Sequence, residues 1–321
     1  MPAKMRAAVL AAPGRIELTD VQRPDPGEGQ VRVKLEGCGV CGSNLPPFEG
    51  RPWFQYPFSP GAPGHEGWGV VDAVGKGVTG LSEGTRVATL GASSFADYDV
   101  VDAASVLPLP RALDGKPFPG EPLACAMNVF RRSDIQAGQT VAIIGIGFLG
   151  AVVCQLAAKA GAKVIAITRR PFALELAKTF GAWKTTPLGD HHRIIDEVKA
   201  LTSGAMCDRV IEAVGAQGPL DLAGELTCER GRMMIAGYHQ DGPRQVNLQL
   251  WNWRGLDVIN AHERDPKVYR EGMRLCAEAV AQGTLDPSAL YTHSFGLSQI
   301  GQAFEAIRAR PDGFMKALIT P

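Results

Sequence analysis

The chain has 321 residues, enough at roughly 150 per domain for two lobes that each bury a core. Its 33 Lys and Arg balance 33 Asp and Glu, so no excess positive potential exists to hold a phosphate backbone or an anionic membrane, and nucleic acid and lipid are not expected partners. Seven cysteines without disulfide-framework spacing suit a reducing compartment, the cytoplasm, where thiols stay free for packing or metal.

Residues 1–12 carry Lys4 and Arg6, but only six small or apolar residues precede Pro13, too few for the apolar region of a secretory leader. The segment reads as a first strand. Gly and Pro together number 32 in residues 1–120 and 29 in the remaining 201, so the two parts should fold differently. The first part alternates in short runs, Val31, Val33 and Leu35, then Val70, Val71 and Val74. Turn signals separate them at Pro24-Asp25-Pro26-Gly27, Gly75-Lys76-Gly77 and Pro108-Leu109-Pro110. That pattern predicts a β-rich, turn-dense lobe.

From about Thr140 apolar strands alternate with helix-period segments: 141–144 then 148–160, 164–167 then 172–180, 209–213 then 220–226, and 233–236. Such alternation predicts βαβ units and a parallel sheet. Pro171 and Gly181 bracket one helix as its first turn and its left-handed stop. The apolar stretch 141–158 approaches membrane-spanning length, but Gly145, Gly147 and Gly150 interrupt it, so it reads as strand, turn and buried helix. One more strand at 256–261, helical stretches at 268–282 and 298–309, and a closing strand at 316–319 complete the chain.

Gly145-Ile146-Gly147-Phe148-Leu149-Gly150 follows a strand directly and opens a helix, the setting in which GxGxxG binds a dinucleotide. The first Gly permits the tight turn and the second lets backbone approach a pyrophosphate. The third lets helix and strand pack closely, and the helix N-terminus offers free N–H groups. The next strand ends in Thr168-Arg169-Arg170, where an acidic residue would bind a free ribose 2′-hydroxyl. A hydroxyl and two guanidinium groups invert that preference, so NADP(H) is favoured over NAD(H). The plainer alternative leaves both arginines on a solvated loop.

In the β-rich part Cys38-Gly39-Val40-Cys41-Gly42-Ser43-Asn44 is followed by Gly64-His65-Glu66-Gly67. Thiolate, imidazole and carboxylate are ligand types of a catalytic zinc that keeps a fourth position open. Cys38-x-x-Cys41 lacks the βαβ setting of a redox pair, so Cys38 is expected to pack in the core.

Taken in order, Cys41-Gly42-Ser43-Asn44, Gly64-His65-Glu66, Glu121-Pro122-Leu123 and Gly145–Gly150 resemble the pattern of the zinc-containing medium-chain dehydrogenase/reductase superfamily, nearer its sorbitol and threonine dehydrogenase branch than liver-type alcohol dehydrogenase. The resemblance covers essentially the whole chain. It implies an α/β fold in three stretches: a GroES-like β-rich catalytic domain over 1–125, a Rossmann NADP(H)-binding domain with a doubly wound parallel sheet over 126–259, and a C-terminal segment over 260–321 returning to the catalytic domain. It further implies Cys41, His65 and Glu66 as ligands of one catalytic Zn2+ per chain, Glu121 as a close or exchanging fourth, and Ser43 as the hydroxyl that bonds the substrate oxygen. Gly145, Gly147, Phe148, Leu149, Gly150, Thr168, Arg169 and Arg170 would hold the cofactor. The implied activity is hydride transfer between NADP(H) and a secondary alcohol or polyol, or the matching carbonyl, in a homodimer or homotetramer joined near 256–261.

The sequence departs from the family pattern in four places. Asn44 stands where an Asp orients the metal-bound His; losing that charge should weaken ligand basicity, although an amide oxygen can still accept the imidazole N–H. Pro46 replaces the His at the outer end of the proton relay, so protons must leave by water or by a carboxylate such as Glu66 or Glu121. No Cys lies between His65 and Glu121, so no structural Zn2+ lobe is expected. Ala124 aligns with the third cysteine ligand of alcohol dehydrogenases, which leaves neighbouring Cys125 as a subordinate candidate. Trp53, Phe54 and Trp251 are candidates to line a pocket for a ring-shaped substrate. His191 and His192 should open a solvated helix. Rival readings are a metal-free NADPH-dependent enoyl or quinone reductase of the same superfamily, and an inactive NADPH-binding sensor.

Overall fold

The computed structural model describes residues 3–321; Met1 and Pro2 lie outside the described residues, so the expected first strand is seen from Lys4. The chain forms two compact units, one running up to Ala124 and resuming at Asp265–Pro321, the other Cys125–Arg264.

In the first unit β1 (Lys4–Ala12) and β2 (Arg15–Gln22) form an antiparallel hairpin. β3 (Gln30–Val40), the short helix α1 (Leu45–Glu49), β4 (Gly67–Val74), β5 (Arg86–Thr89), β6 (Tyr98–Asp102) and β7 (Val106–Pro108) follow. Val31, Val33 and Leu35 on alternate positions of β3 enter one core with Val71, Val87, Val101 and Val106, which is why the period-two pattern sits where it does. Helix α2 (Gly120–Ser133) begins in this unit, with Glu121 in its first turn.

In the second unit β8 (Thr140–Ile144), α3 (Phe148–Lys159), β9 (Lys163–Thr168), α4 (Pro171–Thr179), β10 (Lys184–Pro187), α5 (His191–Leu201), β11 (Cys207–Glu212), α6 (Gln217–Leu226), β12 (Thr227–Ile235), α7 (Leu248–Arg254) and β13 (Asp257–Asn260) alternate. All six strands are parallel, in the order β10-β9-β8-β11-β12-β13. Numbered within the sheet, that is 3-2-1-4-5-6, the doubly wound order, with its switch point between β8 and β11. Pro171 does open α4, and His191 and His192 open α5, whose cap Asp190 accepts from the N–H groups of His192 and Arg193. Strand β10 and helices α2 and α7 were not among the expected elements. Lys184-Thr185-Thr186-Pro187 offers no apolar run to detect, because β10 is an edge strand.

Helix α8 (Pro266–Ala281), β14 (His293–Gly296), α9 (Ile300–Ala309) and β15 (Ala317–Thr320) rejoin the first unit, where the sheet runs β14-β15-β3-β4-β5-β7 with β6 also on β3. The return falls a few residues after the expected 259/260 boundary. Residues 260–264 stay with the second unit because Ala261 donates its N–H to Ile235 and its carbonyl accepts from Asn128. No helix of the described residues is long and apolar enough to cross a membrane.

Candidate active site

The pairing of β3 with β4 explains why two distant motifs meet. Cys38 lies opposite Gly67, so continuing that antiparallel register brings Cys41, just past β3, level with Gly64, beside His65 and Glu66. The ligand atoms of Cys41, His65 and Glu66 all lie within 4.8 Å of one another. Ser43 Oγ lies 3.5 Å from His65 Nε2.

Strand β15 supplies a partner that the motifs did not reveal. Ala317 pairs with Val40 and Leu318 with Gly39, which sets Lys316 level with Cys41. Its buried ammonium donates to Glu66 Oε1 at 2.5 Å and also contacts Oε2 as an ion pair, yet Oε2 makes no hydrogen bond of its own. Gly39 leaves the space for this pair: a Cβ there would sit 1.8 Å from Glu66 Oε2 and 3.0 Å from Lys316 Cε. Burial pulls the Lys316 pKa down, but Glu66, Cys41 and Glu121 outweigh it and hold the pKa above its ordinary value. Tyr291, just before β14, is also close: burial first, then the Glu66 charge, pushes its hydroxyl well above the usual range.

Burial opposes charge on the His65 imidazole, but the adjacent Cys41 sulfur and the Glu121 and Glu66 carboxylates prevail and raise its pKa to about 10. Without an ion the cluster therefore holds a proton that a cation would displace. A tetrahedral zinc with bonds of about 2.0–2.3 Å holds its ligands roughly 3.5 Å apart, so shifts of about 1 Å close this cluster around an ion. The soft sulfur, the imidazole and the carboxylate oxygen without a hydrogen bond fit that cation. Glu121 is half-buried on α2 and acts on both His65 and Lys316, but its carboxylate is not within the three-residue group. Cys125 opens the second unit.

Cys38 packs in the core as expected, where burial pushes its thiol pKa far up. The expectation for Asn44 needs correction. Its Oδ1 accepts from the Cys41 N–H at 2.8 Å and its Nδ2 donates to the Pro63 carbonyl at 3.0 Å. The His65 Nδ1–H goes instead to that same carbonyl, at 2.9 Å. Trp251 is also differently placed: it packs on the sheet core of the second unit, where a Cβ on Gly224 would meet its indole nitrogen at 2.5 Å. Trp53 is 56% exposed and leans on Phe54, which in turn contacts Phe58.

In the second unit Gly145 takes φ +99°, a left-handed conformation that favours glycine, and donates its N–H to Ile167. A Cβ on Gly150 would lie 2.0 Å from the Gly145 carbonyl oxygen, while one on Gly147 would meet nothing within 4 Å. Gly147 caps α3 without a side-chain bond, as glycine must, and leaves the helix N-terminus with its partial positive charge at the turn. Phe148 and Leu149 are half-buried in that turn. Thr168 is buried at the end of β9, Arg169 is exposed, and Arg170 Nη2 donates to the Ile146 carbonyl at 3.2 Å, tying it to the glycine turn.

Sequence reasoning missed a polar cluster at the carboxyl ends of β11 and β12. Buried Glu212 Oε1 accepts from the N–H groups of Val214 and Gly215, both at 2.7 Å, and Oε2 takes the His239 Nε2–H at 2.9 Å. Arg244 Nε donates to His239 Nδ1 at 2.9 Å, so the ring bridges Arg244 and Glu212 with one nitrogen accepting and the other donating. The cluster fixes two loops on the sheet edge where doubly wound folds bind ligands.

One unit with a dinucleotide-type sheet and another bearing a sulfur, nitrogen and oxygen donor set are the parts of a metal-assisted dehydrogenase class. Comparison with known proteins narrows it. The model of the zinc-binding dehydrogenase family matches residues 149–278, and that of the alcohol dehydrogenase GroES-like domain matches residues 27–111. The chain is 26% identical to a sorbitol dehydrogenase of Halalkalibacterium halodurans over 96% of both chains. It is 27% identical to an alcohol dehydrogenase of Cupriavidus necator over the full length of both. A zinc-binding dehydrogenase of Sinorhizobium meliloti 1021 solved with NADP shares the fold at TM-score 0.86 and 27% identity, over 99% of this chain and 100% of that one. The chain belongs to the zinc-containing, alcohol dehydrogenase-like medium-chain dehydrogenase/reductase superfamily.

Proposed function

We propose that this protein is a zinc-dependent oxidoreductase that interconverts a secondary alcohol or polyol with its carbonyl and prefers NADP(H). The convergence of Cys41, His65 and Glu66 within 4.8 Å carries the reading. A zinc ion on these residues supplies a Lewis acid that makes a hydroxyl acidic near neutral pH, as it does for water at about pH 7. Ser43 Oγ, beside His65 Nε2, takes the substrate hydroxyl proton and hands it to water, since Pro46 leaves no relay imidazole. Lys316 holds the Glu66 carboxylate in place. The α3 N-terminus binds the pyrophosphate of the nicotinamide cofactor, which supplies or accepts the hydride. Exposed Arg169 is the 2′-phosphate contact, while Arg170 holds the turn. Trp53 and Phe54 offer a flat apolar surface suited to a ring-shaped polyol. The exposed Leu248 and Trp253 of α7 next to edge strand β13 support a homodimer or larger assembly, and seven free thiols suit the cytoplasm.

The test is metal content after dialysis, together with turnover of a polyol and cyclitol panel with NADP+ and NAD+, in the wild type and Cys41→Ser. About one zinc per chain, a higher kcat/KM with NADP+, and loss of both metal and turnover in Cys41→Ser are expected. A wild type holding less than about 0.3 zinc per chain that still reduces quinones would select the metal-free reductase. Tight NADPH binding without turnover of any alcohol or carbonyl would select the sensor.

A further inference from the structure

Asn44 is buried at the centre of a bond pattern that admits only one orientation of its amide. The Cys41 N–H is a donor alone, so it must face the amide oxygen; the Pro63 carbonyl is an acceptor alone, so it must face the amide nitrogen. Pro63 O then receives two N–H groups, Asn44 Nδ2 at 3.0 Å and His65 Nδ1 at 2.9 Å, which uses both its lone pairs. With Nδ1–H held by Pro63, the nitrogen left for a cation is Nε2, the atom beside Ser43 Oγ. Asn44 thus ties the turn that carries the Cys41 sulfur to the segment that carries the His65 ring, in a spot with almost no water to compete.

We infer that Asn44 is a positioning residue: through the Pro63 carbonyl it fixes His65 with Nε2 toward the ion, and it must be an amide because a donor is needed there. This deepens the zinc reading above and rests on it. An Asp of the same shape could still accept from the Cys41 N–H, but its second oxygen would face the Pro63 oxygen at 3.0 Å with no proton between them. The neutral amide and the carbonyl dipole replace the carboxylate that the family pattern places at this position, so ligand geometry here depends on a donated hydrogen bond rather than on an outer charge.

Cobalt(II) titration of the metal-depleted full chain, with chelator competition and the visible spectrum, tests this in the wild type, Asn44→Ala and Asn44→Asp. NADPH binding and circular dichroism serve as controls of the fold. Both variants should bind cobalt about 10- to 100-fold more weakly, with altered thiolate-to-cobalt and ligand-field bands and unchanged NADPH affinity. Because Asn44→Asp preserves shape, it decides the matter even if Asn44→Ala fails to fold. Wild-type-like or tighter cobalt binding by Asn44→Asp, with an unaltered spectrum, would overturn the inference alone. A wild type that binds no cobalt would remove the metal reading first, and this inference with it.

Discussion

Lys316 and Glu66 form a buried ion pair whose members lie 250 positions apart in the chain. Removing one partner of such a pair leaves an uncompensated charge and costs about 3–5 kcal/mol. Lys316→Met should therefore lower Tm by roughly 6–20 °C, at about 2–4 °C per kcal/mol for a unit of this size. Saturating zinc should restore part of the loss, because a cation on Glu66 would again balance its charge. A Lys316→Met melting curve superimposable on the wild type would show that Glu66 does not depend on the ammonium. Since the folded-state pKa of Lys316 is raised, the pair's contribution is present below pH 10.5 and is lost only as pH climbs through that raised value, so neutral and mildly alkaline buffers leave it intact. The Cys41, His65 and Glu66 motifs were legible because each keeps flanking glycines and a short local signature. Lys316 was not, since a lysine in an apolar closing strand reads only as an edge residue.

At the scale of elements, two glycines of the turn between β8 and α3 differ in the space around them, Gly150 packed against backbone and Gly147 open. Gly150→Ala must move the Gly145 carbonyl or the helix, and should cost about 1–3 kcal/mol as well as cofactor affinity. Gly147→Ala meets nothing, so Tm should hold within about 2 °C while NADPH affinity falls about tenfold or more, as the methyl occupies the path of the pyrophosphate. Calorimetry with fluorescence titration reads both. Unchanged NADPH binding by Gly147→Ala would mean that the turn is not the cradle. The strands β8, β9, β11 and β12 were readable from apolar runs because residues 141–144, 164–167, 210–211 and 233–234 are buried on both faces. Strand β10 and helix α7 were hidden because an edge strand and a half-exposed helix need no continuous apolar signal.

For the whole molecule, β13 leaves one edge of the six-stranded sheet open, and nearby Trp253 is 85% exposed. An open edge beside exposed apolar side chains favours a second copy. Sedimentation should find at least a dimer, and Leu248→Asp with Trp253→Arg should yield monomers; a monomeric wild type would end that reading.

By itself the sequence determined the two-part organisation, the βαβ units of a parallel sheet, the glycine-rich turn and the three donor types, because hydrophobic period and glycine spacing are local properties of the chain. Only the tertiary structure decided that Lys316 lies beneath Glu66, that the Pro63 carbonyl holds both Asn44 and His65, and that Glu212 collects His239. Strand register between distant segments sets the first, and a backbone carbonyl has no sequence signature to betray the second. The third depends on two loops meeting at the end of a sheet, a consequence of strand order and not of residue order.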